Sequence, residues 1–177
     1  DAYRYFLEQA GLNQYIADTL QGLDVSNVHD LAARGSAIRE SIVNATLPED
    51  FQEEIRRGYN ELCQKCGHDG DMVVAIRSSA TAEDLPNASF AGQQATFLNI
   101  KGEQQVVQSV KECIASLFTD RAIVYRVTNG FDHMKVALSV GIQQMVAVRS
   151  ECAGVLFTID TESGFKNAVV VSSIYGL

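Results

Sequence analysis

The sequence predicts an α+β fold in which the helices come first and the strands follow. Apolar residues recur at helical spacing through the first 66 residues, and short β-branched runs replace that pattern after Gly67. Near the end of the chain, residues 136–143 alternate apolar and polar side chains with a period of two, as in a half-buried antiparallel strand. Because the strands cluster late, we predict a mainly antiparallel sheet with helices instead of a doubly wound sheet.

Composition argues against nucleic-acid and membrane partners. The 177 residues include 14 basic and 22 acidic side chains, a formal net charge of −8, whereas binding a phosphate backbone needs a dense basic surface. No apolar run approaches the roughly 18 residues of a transmembrane helix, and the opening DAYRYFLEQAG is unlike an export signal. The four cysteines are too few for a disulfide scaffold. We therefore expect a protein of the reducing cytoplasm.

Three helical stretches are predicted in the first third of the chain. The first is broken by Gly11 and Gly22, and the second spans residues 28–43. The third begins after Pro48, where a proline followed by two acidic residues suits a first helical turn. These stretches predict a helical subdomain over residues 1–66.

The remaining residues, 67–177, are predicted to form an α+β lobe that belongs to the same larger domain. A loop over residues 77–92, rich in Ser, Ala, Asp and Gly, follows the first strand. An amphipathic helical segment then runs over residues 106–127 and ends at Asn129-Gly130. The predicted strands are MVVAI, ATFLNI, the alternating segment, AGVLFTID and NAVVVSSI.

The long loop is the first candidate for chemistry, since the common phosphate-binding motifs are missing from the sequence. Arg77 ends the predicted strand, and its planar guanidinium offers paired donors to phosphate oxygens. Hydroxyls and glycines in the loop add donors and let backbone N–H groups approach closely. Two interpretations stay open: a loop that folds over a triphosphate, or an ordinary surface loop in which Arg77 pairs with Glu83 or Asp84.

Four segments of the sequence, in the same order, resemble the nucleotide-binding domains of the dikinase group, which includes pyruvate phosphate dikinase and phosphoenolpyruvate synthase. They are AIRSSATAEDLPNASFAGQQATFLNI, SLFTDRAIVYRVTNGFDH, ALSVGIQQMV and AGVLFTIDTESGF. The resemblance implies an ATP-grasp-like domain that holds ATP and Mg²⁺ between two lobes. It further implies transfer of a pyrophosphoryl group to a histidine on a separate swivelling domain, which then serves a pyruvate-binding domain. The SFAGQQ and TIDTESGF segments favour the synthase branch.

The same resemblance assigns eight residues to the ATP site. Arg77 matches the arginine of the family's RSS motif and Arg121 the arginine of its TDRA segment, and both are expected at the triphosphate. The other six are expected as hydrogen-bond donors or lid residues of the loop: Ser78, Ser79, Ser89, Gly92, Gln93 and Thr96. No catalytic residue is expected in this chain, because the phosphohistidine lies elsewhere.

Departures from the family pattern concern the two ends of the chain. The family's upstream lysine segment is missing, and the sequence stops at Tyr175-Gly176-Leu177, where the family continues into its adenine-binding lobe. We therefore expect a fragment that folds at least partly, is catalytically inactive alone, and binds ATP weakly or not at all.

Two other clusters and one histidine are further candidates for metal or acceptor chemistry. Cys63, Cys66 and His68 form a CxxC-x-H pattern, but no second knuckle supplies a fourth zinc ligand, and a helix end followed by a turn is the alternative. Glu83 and Asp84 are interpreted as a solvated acidic pair, with Mg²⁺ binding as the alternative. His133 follows a helix-ending Asn-Gly and is interpreted as a turn or interlobe hydrogen-bonding residue in preference to a phosphoryl acceptor.

Alternative functions remain at this point. Another dikinase, such as pyruvate phosphate dikinase itself or an antibiotic-inactivating phosphotransferase, shares the nucleotide-binding end and differs downstream. A non-enzymatic module that binds a protein or metal through its acidic surface is the alternative of a different class.

Overall fold

The α+β prediction is confirmed by the structure, a computed structural model that describes residues 1–70, 72–80, 84–85, 88–89, 95–145 and 152–175. In chain order its elements are α1 Ala2–Gln9, α2 Leu12–Leu20, α3 Val28–Asn44, α4 Glu49–Lys65, β1 Val73–Ala80, β2 Asp84–Leu85, β3 Ala88–Ser89, β4 Thr96–Lys101, α5 Glu103–Ala115, a 3₁₀ turn Ser116–Phe118, α6 Asp120–Thr128, β5 Leu138–Gln144, β6 Ala153–Phe157 and β7 Val170–Ile174.

Local signals explain where the helices begin. Asn27 caps α3, its side-chain oxygen accepting from the Asp30 N–H at 3.2 Å. Helix α4 starts directly after Pro48, with two acidic residues in its first turn, where they interact favourably with the positive end of the helix dipole. Within the part of the chain that the structure describes, no helix is both long and apolar enough to cross a membrane.

The chain divides into two compact units, residues 1–144 and 145–177. In the first unit, the antiparallel sheet has the order β4-β1-β5, with α5 packed on all three strands and α3 and α4 packed on α5. In the second unit, β6 and β7 form an antiparallel pair. The predicted boundary between residues 66 and 67 stays a prediction.

Helices and sheet of the first unit share one hydrophobic core. Phe6, Ile38 and Tyr59 from the helices are fully buried together with Ile76 of β1 and Ile114 of α5. Burying an aliphatic or aromatic side chain of this size contributes about 1.5–3 kcal/mol relative to leaving it exposed. The helices are therefore held mainly by their shared apolar face against the sheet.

Two predicted boundaries are corrected by the structure. The loop prediction is wrong for residues 77–80, because β1 continues to Ala80 and pairs residue for residue with β5. The predicted helical segment 106–127 is two helices, since Thr119 has an extended backbone with ψ 153°. Its hydroxyl accepts from the Ala122 N–H and caps α6. The loop prediction is also wrong for residues 84–85 and 88–89, which form the short antiparallel pair β2 and β3. The rest of the predicted loop lies outside the described residues.

The predicted alternation of apolar and polar residues along β5 is confirmed, and it shows which face of the sheet is exposed. Leu138 is buried and Val140 half-buried on the side of α5, whereas Ser139, Gly141 and Gln143 are exposed on the other. This is the period of two expected for a strand with one covered face.

Candidate nucleotide site

Arg77 lies in the middle of β1, on the face of the sheet opposite α5. Its pairing partners are Thr96 in β4 and Gly141 in β5, and two residues further along β1 Ser79 pairs with Ser139. Directly paired residues of antiparallel strands point to the same side of a sheet, as do residues i and i+2 of one strand. All five are exposed, and we refer to Arg77, Ser79, Thr96, Ser139 and Gly141 as the open face.

The open face carries one guanidinium and three hydroxyls. The Ser139 hydroxyl donates to the Ser79 carbonyl at 3.3 Å, and within the described residues Arg77 has no ion-pair partner. Whether Arg77 pairs with Glu83 or Asp84 stays open, since the side chains of both lie outside the described residues. A planar guanidinium beside hydroxyls suits the oxygens of a phosphate chain.

Gly141 has no side chain and lies directly opposite Arg77 on the neighbouring strand β5. A Cβ built on Gly141 would meet only the Arg77 carbonyl oxygen, at the ordinary contact distance of 3.8 Å. The packing of the described residues therefore does not require a glycine here, although glycine weakens a strand interior. A strand glycine of this kind is typical of a place where a ligand or another backbone approaches closely.

Ser78 points to the other face of the sheet. It pairs with Val140, is half-buried, and is the side-chain hydrogen-bond partner of the Cys113 thiol in α5. Burial raises the pKa of Cys113 to about 11 despite that hydrogen bond. The structure therefore does not place Ser78 with Arg77, and its assignment to the ATP site stays a prediction without geometric support.

Arg121 is exposed in the first turn of α6. Helix α6 packs against α3 and the 3₁₀ turn, and among the described residues no hydrogen bond or ion pair joins Arg121 to the open face. Ser89 is described only as backbone of β3, and Gly92 and Gln93 lie outside the described residues. Of the eight assigned residues, the structure thus gathers Arg77, Ser79 and Thr96, and all eight assignments stay predictions.

The cysteine pattern does not form a metal site among the described side chains. Cys63 is buried in α4, while the Cys66 thiol donates to Gln144 Oε1 at 3.2 Å. His68 uses its backbone N–H to close the helix end on the Cys63 carbonyl at 2.9 Å. No group of three metal-ligating side chains was found anywhere in the ranges the structure describes.

His133 serves as a hydrogen-bond acceptor away from the open face. Its Nδ1 accepts from Arg126 Nε at 2.8 Å. Burial, followed by the nearby Arg126 charge, lowers the pKa of His133 to about 4. The imidazole is therefore neutral at pH 7, as its accepting role requires, which agrees with the interpretation of His133 as a turn residue.

Sequence reasoning missed Ser139 and Gly141 as members of the open face. Both stand on the polar side of an alternating strand, and that alternation was visible in the sequence. What was missing was the register that sets them beside Arg77 and Ser79, since it depends on pairing across about 60 residues of chain.

The family model for the AMP/ATP-binding domain of pyruvate phosphate dikinase matches residues 1–177 of the chain. A phosphoenolpyruvate synthase of Helicobacter pylori is 52% identical over 177 residues, covering 100% of this chain and 22% of the relative. A phosphoenolpyruvate synthase of Pseudomonas aeruginosa is 54% identical over 176 residues, which cover 99% of this chain and 22% of the relative. One of Escherichia coli is 48% identical over 177 residues, which cover 100% of this chain and 22% of the relative.

The chain thus spans 22% of the length of these curated relatives. The resemblance drawn from the loop and strand segments is confirmed by a match that runs over the whole chain. The chain belongs to the family of pyruvate phosphate dikinase AMP/ATP-binding domains.

Proposed function

We propose that this chain is the ATP-binding part of a phosphoenolpyruvate synthase. Such an enzyme converts ATP, pyruvate and water to phosphoenolpyruvate, AMP and phosphate through a phosphohistidine on another domain. One observation carries the proposal: relatives that bear this name match essentially the whole chain at 48–54% identity. The same relatives favour the synthase over another dikinase or an antibiotic phosphotransferase, and family membership speaks against a non-enzymatic module.

The chemistry of the open face supports a role in holding phosphates. Arg77 clamps triphosphate oxygens, Thr96 and Ser79 add hydroxyl donors, and Gly141 leaves room for the ligand beside the strand. Transfer of a phosphoryl group depends mainly on positioning and on offsetting developing negative charge, which a fixed guanidinium provides. Arg121 is assigned to the triphosphate on the resemblance alone.

The described residues of the open face fit ATP better than they fit a metal. They carry no carboxylate, whereas protein-bound Mg²⁺ usually takes one or two carboxylates together with phosphate oxygens and water. Mg²⁺ would therefore be held here through the phosphate oxygens of ATP, where it supplies further charge neutralisation. An ATP-grasp-like second lobe, the swivelling phosphohistidine domain and the pyruvate domain are partners within the full-length chain. We place this enzyme in the cytoplasm.

Arg77→Met in the full-length enzyme tests the proposal. Loss of charge-assisted hydrogen bonds worth about 1.5–3 kcal/mol raises the KM for ATP roughly ten- to a hundredfold. The KM for pyruvate and the thermal midpoint stay unchanged, because Arg77 is exposed and has no described ion-pair partner.

Arg57→Met is the matched control, since Arg57 is an exposed arginine that pairs only with Glu54 and Glu61 of its own helix among the described residues. It removes the same charge and leaves both KM values as they are. An Arg77 variant with the parent's KM for ATP would refute the role assigned to the open face.

A further inference from the structure

The corner between α5 and α6 is held by two arginines that bind consecutive carbonyl groups. Arg126, which is fully buried, donates from Nη1 to the Leu117 carbonyl at 2.6 Å. Arg39 reaches from α3 and donates from Nη1 to the Phe118 carbonyl at 2.8 Å. The last residues of the 3₁₀ turn are therefore anchored immediately before α6 begins.

Arg39 also contacts the first residue of α6. The same Nη1 lies 3.2 Å from Asp120 Oδ1, and the two side chains are 31% and 42% exposed. A hydrogen bond to the preceding carbonyl and an ion pair to the first helical residue together orient the first turn of α6, which a single exposed ion pair would hold only weakly.

Gly35 allows this close approach of α3 to the corner. A Cβ on Gly35 would lie 2.9 Å from Arg39 Nη1 and 2.9 Å from Asp120 Oδ1, closer than real Cβ atoms come. It would also lie 3.3 Å from the Phe118 carbonyl oxygen. The Arg39 guanidinium thus occupies space that exists only because residue 35 has no side chain.

We infer that Arg39 is a positioning residue for Arg121, an inference that rests on the proposed function. Arg121 follows Asp120 directly, is exposed, and has no ion-pair partner within the described residues, so its location depends on the backbone that carries it. By fixing the Phe118 carbonyl and Asp120, Arg39 sets where the Arg121 guanidinium stands relative to the bound triphosphate. Arg39 itself does not touch ATP.

A double-mutant cycle in the full-length enzyme tests this inference, with KM for ATP and KM for pyruvate as readouts. Arg39→Met is expected to raise the KM for ATP roughly three- to thirtyfold, within the usual range of coupling between interacting residues. In the Arg121→Gln background the same change is expected to add less than about twofold. Arg39→Lys, which keeps a charged donor, recovers part of the loss.

Arg34→Met is the matched control on the same helix. Arg34 pairs with Asp30 and donates to the carbonyls of Thr19 and Gln21, at 2.9 and 3.0 Å, so its loss loosens α2 against α3 without touching the corner. It is expected to lower the thermal midpoint and leave both KM values unchanged. If Arg39 had only a structural role, Arg39→Met would likewise lower the thermal midpoint and leave both KM values unchanged.

Two outcomes overturn the inference: an unchanged KM for ATP in Arg39→Met, or an equal factor in the parent and Arg121→Gln backgrounds. If Arg121→Gln has no effect while Arg77→Met raises the KM for ATP, the inference falls and the proposed function stands. If neither arginine affects the KM for ATP, both fall.

Discussion

Two helix-interior glycines are expected to respond to the same substitution with opposite signs. Gly35 lies in α3 against Arg39 and Asp120, whereas Gly58 lies exposed in α4, where an added Cβ would meet nothing within 4 Å. Gly→Ala in a helix interior gains about 1 kcal/mol through backbone entropy. That gain is fully available to Gly58→Ala, which should stabilise the chain.

The change in stability caused by Gly35→Ala depends on the contacts that the new methyl group would displace. With 2.9 Å to Arg39 Nη1 and to Asp120 Oδ1, the arginine has to move and loses its bonds to Asp120 and to the Phe118 carbonyl. Hydrogen bonds to charged groups are worth about 1.5–3 kcal/mol each, and partial exposure here favours a combined loss of about 2–3 kcal/mol. After the helix gain of about 1 kcal/mol, Gly35→Ala destabilises by about 1–2 kcal/mol.

Urea unfolding and thermal unfolding of the 177-residue chain and its two variants measure this difference. Gly58→Ala is expected to raise the thermal midpoint by about 2–4 °C, and Gly35→Ala to lower it by about 2–8 °C, given the size of the chain. The two variants should differ by about 2–3 kcal/mol in the free energy of unfolding. Equal stabilisation by both would show that Arg39 leaves its position at no cost, and the tight corner would be refuted.

Three further predictions concern the strand glycine, a histidine and a buried tyrosine. Gly141→Val should raise the urea midpoint, since valine favours a strand by up to about 1 kcal/mol. It should also raise the KM for ATP of the full-length enzyme, because the valine side chain takes up space proposed for the ligand. An unchanged KM for ATP would show that ATP does not use the space beside Gly141. Acidification from pH 6.5 toward 4 should lower the free energy of unfolding, because burial and Arg126 depress the pKa of His133 from 6.5 to about 4, so the unfolded state takes up the proton first. His133→Asn should flatten that part of the profile of urea midpoint against pH, and identical slopes would contradict the reasoning. Tyr59→Phe removes the hydroxyl that donates to the Met72 carbonyl at 2.7 Å and accepts from the Gly102 N–H at 3.1 Å, and it should lower the free energy of unfolding in urea by about 1–3 kcal/mol. Tyr15→Phe is the control, because Tyr15 is 42% exposed, and it should leave the stability unchanged. Equal effects of the two substitutions would rule out the buried hydrogen bonds as the cause.

The helices and the polarity of β5 were predictable because their signals are local. The cap at Asn27, the proline before α4 and the alternation over residues 136–143 each involve neighbours a few positions apart. The nucleotide-binding family was also recognisable, since the loop and strand segments that carry it are continuous in the sequence.

The extent of β1 was not predictable from those neighbours. Arg77, Ser78 and Ser79 have the composition of a loop, and they form a strand because β5 offers them a pairing partner through Ala80. Backbone hydrogen bonds to that distant strand outweigh the weak local preference of Ser and Ala. The site residues could therefore be assigned to the right segment but not to a face.

Amino-acid order alone was enough for the α+β class, the starts of α3 and α4 and the family, because each depends on interactions within a few residues or on contiguous motifs. The tertiary structure determines that Ser79 lies on the same face of the sheet as Arg77, whereas Ser78 lies on the other face and hydrogen-bonds with Cys113. It also determines that Arg39 donates a hydrogen bond to the Phe118 carbonyl. The physical reason is that strand register and helix packing bring together residues some 35 to 80 positions apart, and the energy of those contacts is not encoded in any short stretch of chain.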